Sequence, residues 1–253
     1  MKKLILLYFS GFLCLSAVIS CKKDPSPETV TSLTIVNALP GNRLMIADFS
    51  GKPANQFVGE GLTLYYGLYD PSSRLSLPKR DQPLTFYKYP FVAGDQPLYN
   101  LNLNTKPGEI NTLFLTGTKS QPEHFVINEK PPYYSVKDSL VGLRFVNLSA
   151  GSGPMQVKIS GEGLSTGISN NDLVYKGITG YLPVPATSKV GDLLVEFYDQ
   201  SSGKLLGTLT LEKVGATLTD NPYRYRNYTL ALIGLPNASE PTDAQRVLKI
   251  NDY

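Results

Sequence analysis

Gly163-Leu-Ser-Thr-Gly167 is the segment of this sequence that comes nearest to a catalytic motif. It fits the Gly-x-Ser-x-Gly pattern of hydrolases, in which the serine lies on a strained turn between a strand and a helix. In those enzymes an acid and then a histidine follow the serine along the chain. The only histidine here, His124, precedes Ser165. The pattern therefore predicts a loop, and we expect a protein that is not an enzyme.

Metal-binding side chains are equally sparse. The chain has one histidine and two cysteines, Cys14 and Cys21. Zinc, copper and haem sites need sets of such ligands. The sequence also lacks the Gly-x-x-x-x-Gly-Lys-Ser/Thr loop that holds nucleotide phosphates. We therefore predict no metal site and no cofactor.

Tyrosine is the residue type best suited to binding a ligand here, with 16 copies in the chain and no tryptophan. Its ring can stack on a sugar or anchor a partner while its hydroxyl forms a hydrogen bond. A spacing of two places residues 87, 89 and 91 on one face of a strand, where packing across the sheet is the favoured alternative. The tyrosines of the candidate ligand platform are Tyr65, Tyr66, Tyr87, Tyr89, Tyr223 and Tyr225.

The first residues have the layout of an export signal. Lys2 and Lys3 precede an apolar run from residue 4 to residue 19, and small Ser20 precedes Cys21. The run is shorter than the roughly 20 apolar residues that a membrane-spanning helix needs. This order predicts a signal peptide over residues 1–20, and an ordinary secreted protein with an incidental cysteine is the alternative.

Val18-Ile19-Ser20-Cys21 resembles the bacterial lipobox, in which the peptidase cuts before a cysteine that already carries lipid. The resemblance implies lipidation of Cys21 by diacylglyceryl and palmitate chains and an outer-membrane location, on the periplasmic or the cell-surface face. Two or more acyl chains anchor stably, because each buried methylene contributes about 0.8 kcal/mol. Residues 21–30 are polar and contain proline, which predicts a disordered tether.

Composition narrows the class of partner. The 24 basic and 21 acidic residues give a net charge of only +3 and are spread along the chain. Nucleic-acid binding usually needs a basic block, so no nucleic-acid partner is expected. A hydrophobic share of 42% suits a globular chain with a sizeable core. The expected partners are the membrane, through the lipid, and an envelope protein or a glycan.

The sequence contains two copies of one pattern. Ser32–Asn37 and Val141–Asn147 are apolar strands that both end in Val-Asn, and near the end of each copy Asn111–Gly117 matches Tyr228–Gly234. Their separation of about 110 residues is typical of tandem domains and too long for a solenoid repeat. Pro131 and Pro132 mark the boundary between the copies.

Each copy consists of short segments rich in β-branched and aromatic residues, separated by Gly, Pro, Asn and Ser. Leu193–Tyr198 and Lys204–Leu211 predict a hairpin whose turn contains Gly203. Seven or eight such strands per copy predict an all-β fold of two tandem antiparallel immunoglobulin-like β-sandwich domains, over residues 31–130 and 140–253. A barrel is the main alternative.

The paired strand motifs also resemble a bacterial extracytoplasmic family known as the domain of unknown function numbered 4397. The residues that carry this resemblance are Leu143–Ser149, Tyr181–Ala186 and Tyr228–Gly234, with a looser match in the first copy, where Asn111 replaces the tyrosine. The resemblance implies a sandwich in the cell envelope and assigns no active site. We therefore expect a lipid-anchored, non-enzymatic scaffold, spacer or adhesion module, with a glycan-binding accessory lipoprotein of a polysaccharide-uptake system as the alternative.

Overall fold

A computed structural model describes residues 30–52, 61–78, 81–92, 94–128, 130–165, 168–217 and 221–252. The predicted signal peptide, the lipidation site Cys21 and the tether up to residue 29 lie outside these residues. No helix among the described residues is long and apolar enough to cross a membrane.

Residues 31–128, called unit 1 below, form two four-stranded sheets. One sheet has the strand order β4-β1-β7-β8 and the other has the order β3-β2-β5-β6. All pairings are antiparallel except that of β1 with β7, which is parallel. The strands are β1 (Thr31–Asn37), β2 (Leu44–Asp48), β3 (Leu62–Tyr65), β4 (Arg74–Leu77), β5 (Asp81–Lys88), β6 (Tyr99–Asn104), β7 (Ile110–Gly117) and β8 (Pro122–Asn128).

Residues 140–252, called unit 2, repeat this topology strand for strand. Their sheets have the orders β12-β9-β15-β16 and β11-β10-β13-β14, and β9 pairs in parallel with β15. The strands are β9 (Leu140–Asn147), β10 (Met155–Gly161), β11 (Ile168–Leu173), β12 (Leu182–Pro185), β13 (Leu193–Asp199), β14 (Leu205–Leu211), β15 (Asn227–Ile233) and β16 (Arg246–Asn251). The predicted pair of tandem β-sandwiches is confirmed, and because each unit has two separate sheets, the barrel alternative is wrong.

Alternation along the strands explains why the sheets stack. In β1, Leu33 and Ile35 point into the unit 1 core together with Met45 and Phe86 of the opposite sheet. In unit 2 the core is built the same way. A period of two places one residue set between the sheets, so each sandwich buries its apolar residues without a disulfide. The predicted hairpin of unit 2 is β13 and β14, and Gly203 in its turn has a φ of +70°.

The Val-Asn motif that revealed the repeat has a structural role in both units. The side-chain oxygen of Asn37 accepts a hydrogen bond from the Leu39 backbone N–H at 3.1 Å, and that of Asn147 accepts one from Ser149 N–H at 3.0 Å. Both asparagines are buried. Each therefore satisfies the backbone where its strand ends and the chain turns toward the second sheet.

The two units share a packed face. The sheets containing β1 and β9 present their outer sides to each other, and a third apolar cluster forms between them around Val36, Phe114, Val146 and Ala231. Phe114 is fully buried and stacks on Phe125 with ring centroids 5.1 Å apart. Because apolar residues on both sides are removed from water there, the contact stabilises the two sandwiches as one body.

Residues 130–139, which connect the units, are docked on unit 2. The side-chain amide of Asn227 donates to the Pro132 carbonyl at 2.9 Å, and the Tyr225 hydroxyl donates to the Val136 carbonyl at 2.9 Å. Tyr134 is buried, with 9% of its surface exposed. The connection is therefore held against unit 2 by side chains of that unit.

Candidate functional site

The six tyrosines proposed as a ligand platform do not form one surface. Tyr87 and Tyr223 are buried, with 4% and 6% of their surfaces exposed. The Tyr87 ring stacks on Phe91 at 5.4 Å, and Tyr223 packs against Tyr228 at 5.6 Å. These two rings are used for packing, so neither lies open to a ligand in the described structure.

Tyr66 and Tyr225 are half-buried and have structural contacts. Tyr225 has a φ of +63° and holds the connecting segment through its hydroxyl. Tyr66 reaches across to unit 2, where the guanidinium of Arg246 lies 4.7 Å from the centre of its ring. Burial raises the pKa of Tyr66 to about 12, and the nearby Arg246 charge opposes that rise only in part. The Tyr66 hydroxyl therefore stays protonated at neutral pH.

Tyr65 and Tyr89 are the exposed members of the set, with 50% and 52% of their surfaces open. Tyr65 pairs with Leu44 of β2 on one side, and on the other side the Tyr89 backbone N–H donates to the Leu44 carbonyl at 3.0 Å. Residues that face each other across antiparallel strands point to the same side of the sheet. Tyr65 on β3, Leu44 on β2 and Tyr89, the residue directly after β5, thus form a line across the sheet, called the tyrosine row below.

An open cleft begins at one end of the tyrosine row and lies between the two units. Its volume is about 520 Å³, and it is broadly open to solvent. Side chains of both units line this interdomain cleft, so neither unit forms it alone. The lining residues are Arg43, Tyr65, Tyr66 and Leu68 from unit 1 and Pro241, Thr242 and Arg246 from unit 2.

Local backbone contacts hold the cleft in place. The Tyr66 N–H donates to the Arg43 carbonyl at 2.9 Å, and the next residue, Gly67, donates to Asn37 at 2.9 Å. Gly67 has a φ of +63°, and a Cβ on it would lie 2.2 Å from Nη2 of Arg246. Arg246 also donates to the Thr242 carbonyl at 2.6 Å. Its guanidinium is therefore fixed on one side by Tyr66 and on the other by the loop before β16.

The cleft lies far from the point where the chain enters unit 1. The Val30 carbonyl accepts a hydrogen bond from Gly108 at one end of the sandwich. From there β1 runs to Asn37, whose carbonyl is bonded to Gly67 beside the cleft. At about 3.3 Å per residue, the seven residues of β1 separate the two places by roughly 20 Å.

Sequence reasoning missed a buried charged cluster at the opposite end of the shared face. Arg144 and Asp252 are almost fully buried and their charged groups lie 3.5 Å apart. Nε of Arg144 donates to the Thr229 hydroxyl at 2.6 Å, and that hydroxyl donates to Asp252 at 2.6 Å. Tyr181 donates to the same carboxylate at 2.9 Å. The arginine in an otherwise apolar strand was the signal that could have revealed this cluster.

The cluster also joins the two units. Nη2 of Arg74, in unit 1, donates to the backbone carbonyls of Asn251 and Asp252 at 2.6 Å each. Burial raises the pKa of the Asp252 carboxyl, and the charges of Arg144 and Arg74 oppose that rise. A space of only about 10 Å³ adjoins the cluster, which is about the size that a single water molecule needs.

Equivalent strand positions make contacts across the shared face in both units. Glu123 in β8 and Arg246 at the start of β16 occupy matching positions. Arg246 lies against Tyr66 of unit 1, whereas Glu123 pairs with Lys176 of unit 2. When the two units are aligned on Asn37 and Asn147, β8 of unit 1 aligns with β16 of unit 2, because the strand registers are the same in both units.

The remaining sequence candidates lie apart from the cleft. Ser165 is exposed in the turn after β10, and the next described element is strand β11, so the strand-to-helix turn of a hydrolase is absent there. Burial and the nearby Lys176 charge lower the pKa of His124, whose ring meets the edge of Tyr99. No three His, Cys, Asp or Glu side chains cluster within the described part of the chain.

Comparisons with known proteins give distant likenesses to solved structures. No protein-family model matches the chain, so the resemblance to the family numbered 4397 stays a prediction. No curated protein matches it either. A solved streptococcal virulence factor that binds alpha-glucan aligns over 80% of this chain and 93% of its own, at 11% identity and a TM-score of 0.28. A leucine-rich repeat protein from Bacteroides thetaiotaomicron aligns over 73% of this chain and 24% of its own, at 13% identity and a TM-score of 0.17. Likenesses this distant assign no function, so the functional argument depends on the geometry of the cleft.

Proposed function

We propose that this protein is a lipid-anchored, non-enzymatic binding protein of the bacterial cell envelope that works as an adhesion or scaffold module. The observation that carries the proposal is the interdomain cleft, which both units build at the end remote from residue 30. Exposed rings and guanidinium groups in an open cleft are suited to recognition.

The direction of the chain supports an outward-facing cleft. The lipid on Cys21 and the short polar tether lead into the end of unit 1 at Val30. The cleft lies at the other end of β1, so it is on the side of unit 1 opposite the point where the tether joins it. A module that binds a partner outside its own membrane needs this orientation.

The shared face supports a scaffold role. A cluster of nine buried apolar residues between the units, with the Arg74 contacts at its edge, couples the two sandwiches. Coupled sandwiches hold the cleft at a fixed distance from the Val30 end of unit 1, because the described connection between the units is itself docked.

Glycan binding is the second candidate function, and the tyrosine row favours it. Tyr65 and Tyr89 present half of their surfaces to solvent on one sheet face. Exposed aromatic rings on a rigid sheet offer flat apolar surfaces together with hydroxyl groups, which is what sugar rings require.

The anchor is tested by replacing the cysteine. Cys21→Ala should move the protein from the membrane fraction to the soluble fraction or leave it unprocessed, because no thiol remains to receive lipid. The matched control is Cys14→Ala, which lies inside the apolar run and should leave processing and membrane association intact. Fractionation and mass spectrometry of the first residue measure both. A processed, membrane-bound Cys21→Ala protein would contradict the proposal.

A further inference from the structure

We propose that the interdomain cleft binds an acidic polysaccharide, with Arg43 and Arg246 holding a sugar carboxylate and Tyr65 stacking on a sugar ring. This inference rests on the glycan-binding candidate function and names its substrate class.

The positive charge of the cleft favours an anionic ligand. Arg43 is exposed, Arg246 is held in place by Thr242 and Tyr66, and the lining residues include no carboxylate. Asp243 borders the cleft, and its carboxylate accepts a hydrogen bond from the Gly41 N–H at 3.0 Å. Its charge offsets one of the two arginines, so the cleft keeps a net positive charge. Guanidinium groups bind carboxylates through paired hydrogen bonds, and a guanidinium that is already oriented loses little entropy on binding.

The tyrosine row selects a polymer with flat apolar faces. Tyr65 and Tyr89 lie on either side of β2, two strand spacings apart, which is about 10 Å. A polysaccharide that occupies the cleft can continue along this row and meet a second ring. Leu44 between the rings is half-buried and keeps the path apolar.

An acidic peptide would also form ion pairs with the two arginines, but it would pack less well against the tyrosine rings. Its carboxylates lie on side chains with several rotatable bonds, whereas a uronic acid carries its carboxylate directly on a rigid ring. Fewer groups must be ordered when charge and apolar face belong to one ring. The combination of two arginines with a row of exposed tyrosines therefore favours the acidic polysaccharide.

Binding is tested with the full-length protein in detergent micelles and three probes. Polygalacturonic acid supplies uronates, dextran supplies neutral sugar, and poly-glutamate supplies carboxylates without sugar. Only polygalacturonic acid should bind well, and raising the salt should weaken it. Arg43→Ala should weaken it roughly 10-fold or more, since a charge-assisted contact is lost, and Tyr65→Ala roughly 3- to 10-fold.

The control variants lie on the matching outer face of unit 2, where Lys158 stands over the Tyr198 ring at 4.8 Å. Lys158→Ala and Tyr198→Ala should bind like the original chain. Equal binding of poly-glutamate, or unchanged binding after both Arg43→Ala and Tyr65→Ala, would overturn the inference. Failure of all three probes while Cys21 still anchors the protein would overturn it and leave the anchored adhesion or scaffold role standing.

Discussion

The outer faces of the two sandwiches differ although their backbones match. In unit 1 the Tyr89 N–H donates to the Leu44 carbonyl at 3.0 Å, and in unit 2 Gln200 N–H donates to the Pro154 carbonyl at 3.0 Å. The backbone contact is the same, but a glutamine replaces the exposed ring. Its amide is bonded to Asp172 at 2.8 Å. The hydrogen-bond ladder fixes the fold, while outward side chains diverge freely.

The same contrast appears beside the cleft. Gly67 and Lys176 occupy equivalent positions, with φ values of +63° and +61°, and their N–H groups donate to Asn37 and Asn147. Gly67 lets Arg246 come close, whereas Lys176 forms its own ion pair with Glu123. In the described part of the chain, the corner at Gly67 is therefore lined by arginine and tyrosine, whereas the matching corner at Lys176 carries an ion pair.

The largest expected effect tests whether the units form one body. Phe114→Ala should lower the free energy of unfolding by about 3–5 kcal/mol, because a fully buried ring between the units is lost. Phe86→Ala, which removes an equally buried ring inside unit 1, is the matched control and should cost about as much. Urea unfolding measures both. A cost below about 1 kcal/mol for Phe114→Ala alone would mean that the units are packed independently.

A smaller effect separates the two corners. Gly67→Ala should destabilise the protein by more than the roughly 1–2 kcal/mol that left-handed backbone costs a non-glycine residue, because its Cβ also meets Arg246. Gly203→Ala is the control, since its φ is +70° and nothing lies within 4 Å of the added carbon. Thermal unfolding compares the two variants. Equal shifts in the melting temperature would show that the Arg246 side chain moves away from the added carbon without an energetic cost.

The smallest expected effect is a pH dependence of the free energy of unfolding that comes from Asp252, at the other end of the shared face. Burial raises the pKa of the Asp252 carboxyl in the folded state, so the folded protein holds this proton more tightly than the unfolded chain. The contribution of Asp252 to stability should therefore be greatest below its unfolded pKa and should fall as pH rises through the folded pKa.

The variant Asp252→Asn isolates this contribution. Other carboxyls, such as the exposed Asp199, affect stability equally in both proteins. Hydrogen bonds from Ser201 and Ser202 lower the pKa of Asp199 to about 2, so its contribution to stability changes with pH in the opposite direction. The stability of the original chain minus that of the variant, measured by urea unfolding from acid to neutral pH, should decrease with pH. An increase would mean that Arg144 and Arg74 outweigh the burial of the carboxyl.

The sequence by itself determined the repeated sandwich. The Val-Asn strand ends, the apolar segments Leu193–Tyr198 and Lys204–Leu211, and Gly203 in the turn between them are local signals. Each acts through contacts close in sequence or through the period of two. These signals predicted the two domains and their hairpin correctly. They predicted the strand face on which each tyrosine lies, but they did not predict which of those faces other residues would bury.

Only the tertiary structure decided which residues form the candidate site. Tyr66 meets Arg246 across 180 positions of sequence, and Arg144 finds Asp252 only where β9 and β15 pair in parallel. Such contacts depend on how two sheets face each other, and the alternation of a strand specifies a face without specifying the partner of that face. The physical reason is that burial between the units follows from three-dimensional packing, while propensity and spacing act along the chain.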